Sequence, residues 1–256
     1  MKFIILGCGS SMGVPRADGF FGKCNPKNKK NYRTRCSALI KTRNETVLID
    51  TSPDLRQQLI NNNIKVIDKV LYSHMHADQT HGINDLRVFY IQKKKTIPVY
   101  ADTATKKYLI NNFKYCFVNN NKEYPAILKI NSINKNIFIK DGRKKLNVRP
   151  IKVQHGKVDS ICYIINNKLA YISDVSHINK KDYKYFKNLS YIILDCLWLR
   201  HHPSHLNLES SLKLVQKFKP KKAILTNLHS DLDYQYLKSI LPKNVTPAYD
   251  GLTVSL

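Results

Sequence analysis

Short runs rich in Ile, Val and Leu recur along the chain, separated by clusters of Gly, Pro, Asn, Asp and Lys. Runs of this length and composition are typical of β-strands. The pattern predicts eleven strands, at Lys2–Leu6, Ser37–Lys41, Thr46–Ile49, Lys69–Ser73, Ile97–Tyr100, Val148–Val153, Ile161–Ile165, Leu169–Ser173, Tyr191–Leu194, Ala223–Thr226 and Leu252–Ser255.

Other segments carry helical signals. The clearest is Pro53–Asn62, because Ser52 precedes it and Pro53 stands at the first helical position, where no backbone N–H is needed. The pattern predicts further helices at Asn84–Gln92, Ala104–Phe113, Lys180–Phe186, Leu208–Phe218 and Tyr234–Ile240.

The order of these elements does not alternate regularly between strand and helix. Hairpin-like strands come first, strand and helix then alternate, and hairpins return after residue 127. Two sheets, each covered by helices on its outer face, accommodate this order in a single domain over residues 1–256. The segment Gly9–Arg35 is too rich in Gly, Pro, Asn and Lys for regular structure, and long loops in compact domains are usually functional or mobile.

The composition of this 256-residue chain excludes several classes of protein. With 43% hydrophobic residues it can bury a sizeable core, so it is neither disordered nor collagen-like. No stretch approaches the roughly 18–20 apolar residues of a membrane span, and the apolar start is too short for a signal peptide. We therefore expect a cytoplasmic protein without membrane contact. The six dispersed cysteines indicate free thiols rather than disulfides.

The net charge is +25, from 43 Lys and Arg against 18 Asp and Glu. A positive field of this size favours anionic partners such as RNA or phosphorylated metabolites. The excess is mostly Lys and accompanies many Asn and Ile residues, so a bias of the whole composition explains it equally well. Charge alone does not decide the partner.

The histidines and aspartates are more informative. The motif His74-Met75-His76-Ala77-Asp78 directly follows the predicted strand Lys69–Ser73. HxHxD beyond a buried strand puts two imidazoles and a carboxylate on one tight turn. Zinc, manganese and iron accept this mixture of nitrogen and oxygen ligands.

Other predicted strands also end in Asp or His. Asp50, His155 and Asp174 close or follow three of them, and His229 comes shortly after a fourth. Each could simply cap a strand or a loop. Together with HxHxD, they predict a rigid set of ligands collected at one rim of the sheets.

These residues resemble the metallo-β-lactamase fold superfamily. Within it, the chain is similar to the branch that contains the cyclic phosphodiesterase of phosphonate breakdown, a cousin of the tRNA 3′-end processing nuclease. The similarity covers nearly the whole chain. It is carried by HxHxD, the later His and Asp positions, and the segments Gly7–Arg16, Arg33–Ser37, Asp50–Arg56 and Gly82–Arg87. It implies a four-layer αβ/βα sandwich of two mixed sheets.

The resemblance also implies roles for these residues. His74, His76 and His155 would hold a first metal, and Asp174 would bridge to a second. Asp78 and His229 would hold that second metal, with Asp78 at the catalytic centre. Asp50 would orient a ligand imidazole.

One position departs from the family pattern, which continues HxHxDH. Gln79 stands where His is usual, so the second metal would be held more weakly or not at all. His81 is a candidate substitute ligand, or a helix cap. The expected cofactors are therefore one or two divalent transition metals, with zinc or manganese favoured.

Further candidates concern the substrate. His205, with His202 as second choice, would donate a proton to the leaving group, because imidazole titrates near neutral pH. Ser10 and Ser11, after the first strand, would offer amides to a phosphate. Arg33 and Arg35 would reach the substrate phosphate or lie in solvent.

The sequence therefore predicts a metal-dependent hydrolase, with a phosphodiesterase acting on a small or cyclic phosphate ester as the leading hypothesis. Metal-activated hydroxide would attack phosphorus. An RNA-end-processing nuclease is the first alternative, and a metal-depleted binding protein is the second. The expected partner is a small phosphorylated substrate, with RNA suggested by the charge. A homodimer is left open.

Overall fold

The computed structural model describes residues 1–119, 124–133 and 135–256. In these ranges a first mixed sheet has seven strands, in the order β14-β1-β2-β3-β4-β5-β6. Strands β1 to β3 and β14 pair antiparallel, whereas β3 to β6 run parallel. The strands are β1 (Lys2–Gly7), β2 (Ser37–Lys41), β3 (Thr46–Ile49), β4 (Lys69–Leu71), β5 (Ile97–Ala101), β6 (Leu128–Ser132) and β14 (Thr253–Ser255).

The second sheet, in the same described ranges, also has seven strands and follows the order β13-β12-β11-β10-β9-β8-β7. Strands β7 to β10 are antiparallel neighbours, and β10 to β13 run parallel. The strands are β7 (Ile137–Asp141), β8 (Lys144–His155), β9 (Val158–Ile165), β10 (Leu169–Ile172), β11 (Tyr191–Asp195), β12 (Lys222–Thr226) and β13 (Val245–Pro247).

Helices connect and cover the strands. They are α1 (Leu55–Asn61), α2 (Ala77–Thr80), α3 (Arg87–Lys93), α4 (Thr103–Asn112), α5 (Lys114–Phe117), α6 (Leu208–Phe218) and α7 (Tyr234–Ile240). Short 3₁₀ helices lie at Lys29–Asn31, Ile83–Leu86 and Lys180–Tyr185. The helix predicted over Lys180–Phe186 is therefore wrong in type, and the one predicted over Asn84–Gln92 is divided between a 3₁₀ turn and α3.

Three apolar clusters build the layers. The central cluster lies between the sheets and joins side chains such as Ile40 and Val47 of the first to Tyr163 and Ile193 of the second. A second cluster packs the outer face of the first sheet against α1, α3 and α4. A third packs the other sheet against α6 and α7. Strands buried on both faces, such as β3, consist of continuous hydrophobic runs for this reason.

This is the predicted four-layer αβ/βα sandwich with helices on the outer faces. The fold class expected from the sequence is confirmed. In the part of the chain that the structure describes, no helix has both the length and the apolar character that crossing a bilayer requires.

The strand directions determine where the site forms. In the second sheet β8, β10, β11 and β12 all run the same way, because β9 is antiparallel to both β8 and β10. Their carboxyl ends therefore meet at one edge. The Ile161 N–H donates to the carbonyl of Ser73, 2.8 Å away, and so ties the end of β4 to the second sheet. The loops that follow these strands share one cleft.

Candidate metal centre

Three imidazoles converge at this cleft. His74 and His76 follow β4, and His155 is the last residue of β8. Nδ1 of His76 lies 3.0 Å from Nε2 of His74 and 3.3 Å from Nε2 of His155. Ligand nitrogens about 2.1 Å from a tetrahedral zinc would stand about 3.4 Å apart, so the spacing is close to that needed for a common cation.

The protonation of two of these rings, His74 and His155, also fits a cation. Burial lowers the pKa of His74 to about 3 and lowers the pKa of His155 below its ordinary value. Nδ1 of His155 donates to the carbonyl of Ser204, 2.7 Å away, which leaves the lone pair of Nε2 facing the other rings. Neutral imidazoles whose lone pairs face one another are what a metal ion requires.

Asp174 completes this cluster. It follows β10 and is buried, and His155, Asp174 and His205 offer ligand atoms within 4.8 Å of one another. Burial alone would raise the pKa of Asp174, but the nearby imidazoles of His74, His205 and His155 outweigh it and lower the pKa. Oδ2 of Asp174 is buried and has no hydrogen-bond partner in the part of the chain that the structure describes. A buried carboxylate oxygen with no hydrogen-bond donor, lying beside imidazoles, is a candidate fourth ligand for a cation.

A histidine and an aspartate form a pair beside the cluster. Nδ1 of His205 lies 2.8 Å from Oδ2 of Asp195, the last residue of β11, and the His205 and His155 rings stand 4.5 Å apart. Although burial opposes it, Asp195 raises the pKa of His205 to about 9. Burial raises the pKa of Asp195 to about 6. His205 is therefore protonated at neutral pH. Asp195 was not among the residues identified from the sequence.

Asp50 acts on the cluster through a neighbour. Its Oδ1 accepts a hydrogen bond from the Ser73 N–H at 2.7 Å, and the Ser73 hydroxyl lies 3.0 Å from Nδ1 of His74. Burial raises the pKa of Asp50. Asp50 therefore contacts Ser73, which in turn contacts His74, whereas a direct contact between Asp50 and a ligand imidazole was expected.

Asp78 and Gln79 lie on α2, immediately after the first two histidines. Burial, with a further contribution from Asp174, raises the pKa of Asp78. Nε2 of Gln79 donates to Oδ2 of Asp78 at 3.1 Å. His81 points elsewhere, with Nε2 3.0 Å from the Tyr108 hydroxyl and its ring against Phe113, so it does not replace the missing histidine.

The comparisons with known proteins agree with this geometry. Residues 45–227 match the model of the beta-lactamase superfamily domain, which is more than half of the chain. The chain belongs to this superfamily. Its members are hydrolases, and the sandwich described above is the metallo-β-lactamase fold.

Two solved structures place the chain within the superfamily. A diphosphatase of the PhnP family is 29% identical, with a TM-score of 0.89 over 99% of this chain and 96% of that one. This puts the chain in the PhnP-like branch. Zn²⁺-bound PqqB from Methylobacterium extorquens is 17% identical over the full length of both chains, with a TM-score of 0.76, and shows the shared fold.

A curated relative is longer. The octanoyltransferase of Porphyromonas gingivalis strain W83 is 29% identical over 256 residues, which are 98% of this chain and 51% of that protein. The chain spans about half the length of this relative. The transferase activity in the relative's name belongs to the longer protein and is not carried over to this superfamily domain.

In the described part of the chain, His229 does not lie in the cluster of His74, His76, His155 and Asp174. Its ring packs against Trp198, 4.8 Å away, and its Nδ1 lies 3.6 Å from Asp231. Asn227, which directly follows β12, lies beside Asp174. It was not identified from the sequence. The chain after β12 directs residue 227, not residue 229, toward Asp174, so the structure does not bring the predicted ligand His229 to this cluster.

Arg33 is predicted from the sequence to reach the substrate phosphate or to lie in solvent. Its side chain is buried, and its guanidinium donates to the carbonyls of Leu232 at 2.7 Å and His229 at 3.3 Å, and to Oδ1 of Asn31 at 3.1 Å. Arg33 therefore ties two loops together, and its guanidinium is engaged by these three internal acceptors rather than by solvent. Arg35 is partly exposed and makes a two-pronged ion pair with Asp54, at 2.7 and 2.8 Å.

The remaining residues predicted to bind substrate or donate a proton are Ser10, Ser11 and His202. Ser10 is buried, its hydroxyl has no hydrogen-bond partner, and its N–H points at the carbonyl of Leu228, 3.4 Å away. Ser11 is exposed on the following turn. The His202 ring lies 5.2 Å from that of His205 and accepts from Ser204, so it borders the proposed proton donor.

Proposed function

We propose that this chain is a metal-dependent phosphodiesterase that cleaves a phosphodiester or a substituted diphosphate in a small, anionic substrate. One observation carries the proposal. Two groups of possible ligand atoms share His155: His74 and His76 complete one, and Asp174 and His205 complete the other. We take His74, His76, His155 and Asp174 as a four-ligand cluster, with a protonated His205 beside it. The 29% identical diphosphatase of the PhnP family supports the choice of phosphate chemistry.

The four-ligand cluster would hold zinc or manganese. A divalent cation there supplies an activated water for attack on phosphorus and offsets charge on the phosphoryl oxygens. The three histidines come from two different sheets, so both sheets fix the position of that cation and of the phosphate that contacts it.

His205 supplies the second half of the chemistry. Its Nδ1 is engaged by Asp195, which leaves the Nε2–H to face the cleft. As the bond between phosphorus and the leaving oxygen breaks, that proton passes from Nε2 to the oxygen, and Asp195 stabilises the imidazole in the required orientation. The partly exposed Arg35 is the candidate cation for a substrate phosphate.

Hydrolysis of bis(p-nitrophenyl) phosphate tests the activity. Protein loaded with manganese should release p-nitrophenolate, and Asp174→Ala should lower the rate more than about 100-fold, since even outer-shell changes at metal sites cost 10- to 100-fold. Glu209→Ala, at an exposed carboxylate on α6, is the matched control and should keep the rate. ADP-ribose is a substituted diphosphate, so its hydrolysis by the same protein tests cleavage of the diphosphate linkage. Equal turnover of wild type and Asp174→Ala on both substrates would refute the proposal.

An RNA-end-processing nuclease is the second candidate, favoured by the charge of +25. If RNA is the substrate, its binding should weaken steeply as salt rises, and the metal-loaded protein should trim an RNA 3′ end. Trimming without turnover of either small substrate would favour the nuclease. Protein that takes up no cation after incubation with manganese or zinc would instead favour the metal-depleted binding protein.

A further inference from the structure

The two oxygens of the Asp174 carboxylate have different surroundings. Among the described residues, Oδ2 has no hydrogen-bond partner although it is buried, and the carboxylate lies within ligand distance of His155. Oδ1 lies 3.2 Å from Nδ2 of Asn227. The carboxylate therefore faces a ligand cluster with one oxygen and an amide with the other.

The orientation of that amide follows from a second contact. Nδ2 of Asn227 also lies 2.9 Å from the carbonyl oxygen of Ser173. A backbone carbonyl can only accept a hydrogen bond, so the NH₂ group of Asn227, and not its oxygen, points to Ser173 and Asp174. The amide nitrogen has no lone pair to offer a metal.

The same arrangement occurs at the other acidic residue of the cleft. Nε2 of Gln79 donates to Oδ2 of Asp78 at 3.1 Å. Gln79 is buried, and its Oε1 is without a hydrogen-bond partner. The opposite orientation would bring two oxygens together, so the NH₂ group faces the carboxylate here too.

We propose that the cleft holds a single cation, on His74, His76, His155 and Asp174, and that the amides of Asn227 and Gln79 occupy the place of a second. Each amide places an N–H donor on a carboxylate oxygen that a second cation would need. The two donors offset charge on Asp78 and Asp174 without a metal. This inference rests on the proposed metal centre and specifies how many ions it takes.

The number of bound ions tests this directly and does not depend on the substrate. The full chain is loaded with zinc, exchanged into metal-free buffer, and analysed by native mass spectrometry together with elemental analysis. We expect one zinc per chain. Asp78→Ala should leave this value at one, and His74→Ala should lower it toward zero. Two zinc ions in the wild type, falling to one in Asp78→Ala, would overturn the inference.

A pair of nearly isosteric substitutions tests the role of the amides. Asn227→Asp and Gln79→Glu replace each NH₂ donor by a carboxylate oxygen of the same shape. The φ of Asn227 is 61°, in the left-handed region, which Asp also tolerates, so the fold should survive. We expect the double variant to bind two zinc ions. If the folded double variant still binds one, the amides do not exclude the second ion and the inference fails.

The outcome is separable from that of the proposed function. A chain that binds one zinc but cleaves none of the phosphate substrates would refute the phosphodiesterase and leave the single-ion centre standing. A chain that binds two zinc ions and cleaves these substrates would support the phosphodiesterase and refute the single-ion centre.

Discussion

At the scale of single residues, His205 offers the sharpest test of the chemistry. A general acid matters most when the leaving group is a poor one, because a good leaving group departs without a proton. His205→Ala should therefore lower the rate on an alkyl or ribose phosphodiester by about 10²–10⁴-fold. On bis(p-nitrophenyl) phosphate the loss should be much smaller. Equal losses on both substrates would show that His205 acts by another route.

Asp195 controls when His205 carries its proton. Burial alone would lower the pKa of His205, and Asp195 raises it to about 9. The activity on a poor leaving group requires the protonated ring, so it should be present below pH 9 and fall as the pH rises through that value. In Asp195→Asn the carboxylate charge is lost, and this limb should move to lower pH.

A matched substitution keeps this test specific. Asp231→Asn also removes a carboxylate beside a histidine, but that histidine is His229, outside the cluster. The alkaline limb should stay where it is in this variant. If Asp195→Asn leaves the limb unmoved as well, the proton does not come from His205.

The site residues differ in how far the sequence identifies them. His74 and His76 are close in sequence, so their spacing alone indicates a cation. Asp195 and Asn227 are single polar residues at strand ends, and only the parallel arrangement of β10, β11 and β12 brings them to Asp174 and His205. The sequence analysis named His229 from the stretch after β12 and did not identify Asn227.

At the scale of elements, Arg33 links the loop before β2 to the loop after β12. Its guanidinium donates to the carbonyls of His229 and Leu232, and its Nη1 lies 3.8 Å from Sγ of Cys24. Arg33→Met should leave these buried acceptors without donors and lower the free energy of unfolding by about 3 kcal/mol. Urea denaturation measures this.

The control for that substitution is Arg16→Met. Arg16 makes an exposed ion pair with Asp18, and such pairs contribute about 1 kcal/mol or less. A loss in Arg33→Met no larger than in Arg16→Met would show that the link between the two loops does not stabilise the fold.

The strands that the hydrophobic pattern missed share a position. β6, β7 and β13 all lie at sheet edges. An edge strand is exposed along one side, so it tolerates polar residues, and β13 even ends in Pro247. Central strands such as Ser37–Lys41 and Thr46–Ile49 are covered on both faces, and the pattern gave their bounds correctly.

At the scale of the whole molecule, the metal-binding cluster connects the two sheets. His74 and His76 follow β4 of the first sheet, whereas His155 and Asp174 belong to β8 and to the end of β10 in the second. A cation bound by all four stabilises the packing of one sheet on the other, because unfolding must separate the ligands. Its effect on stability is therefore global.

The size of that effect follows from mass action. With free zinc at about 1,000 times its dissociation constant, the folded state gains about 4 kcal/mol. For a chain of this size that corresponds to a rise in Tm of roughly 8–16 °C. Removing the zinc by chelation should lower the Tm by this amount, and re-addition should restore it. In His155→Ala the response should largely disappear, whereas in His81→Ala, outside the cluster, it should persist. If the Tm of the wild type does not change when zinc is removed and added back, the two sheets are not joined by a cation.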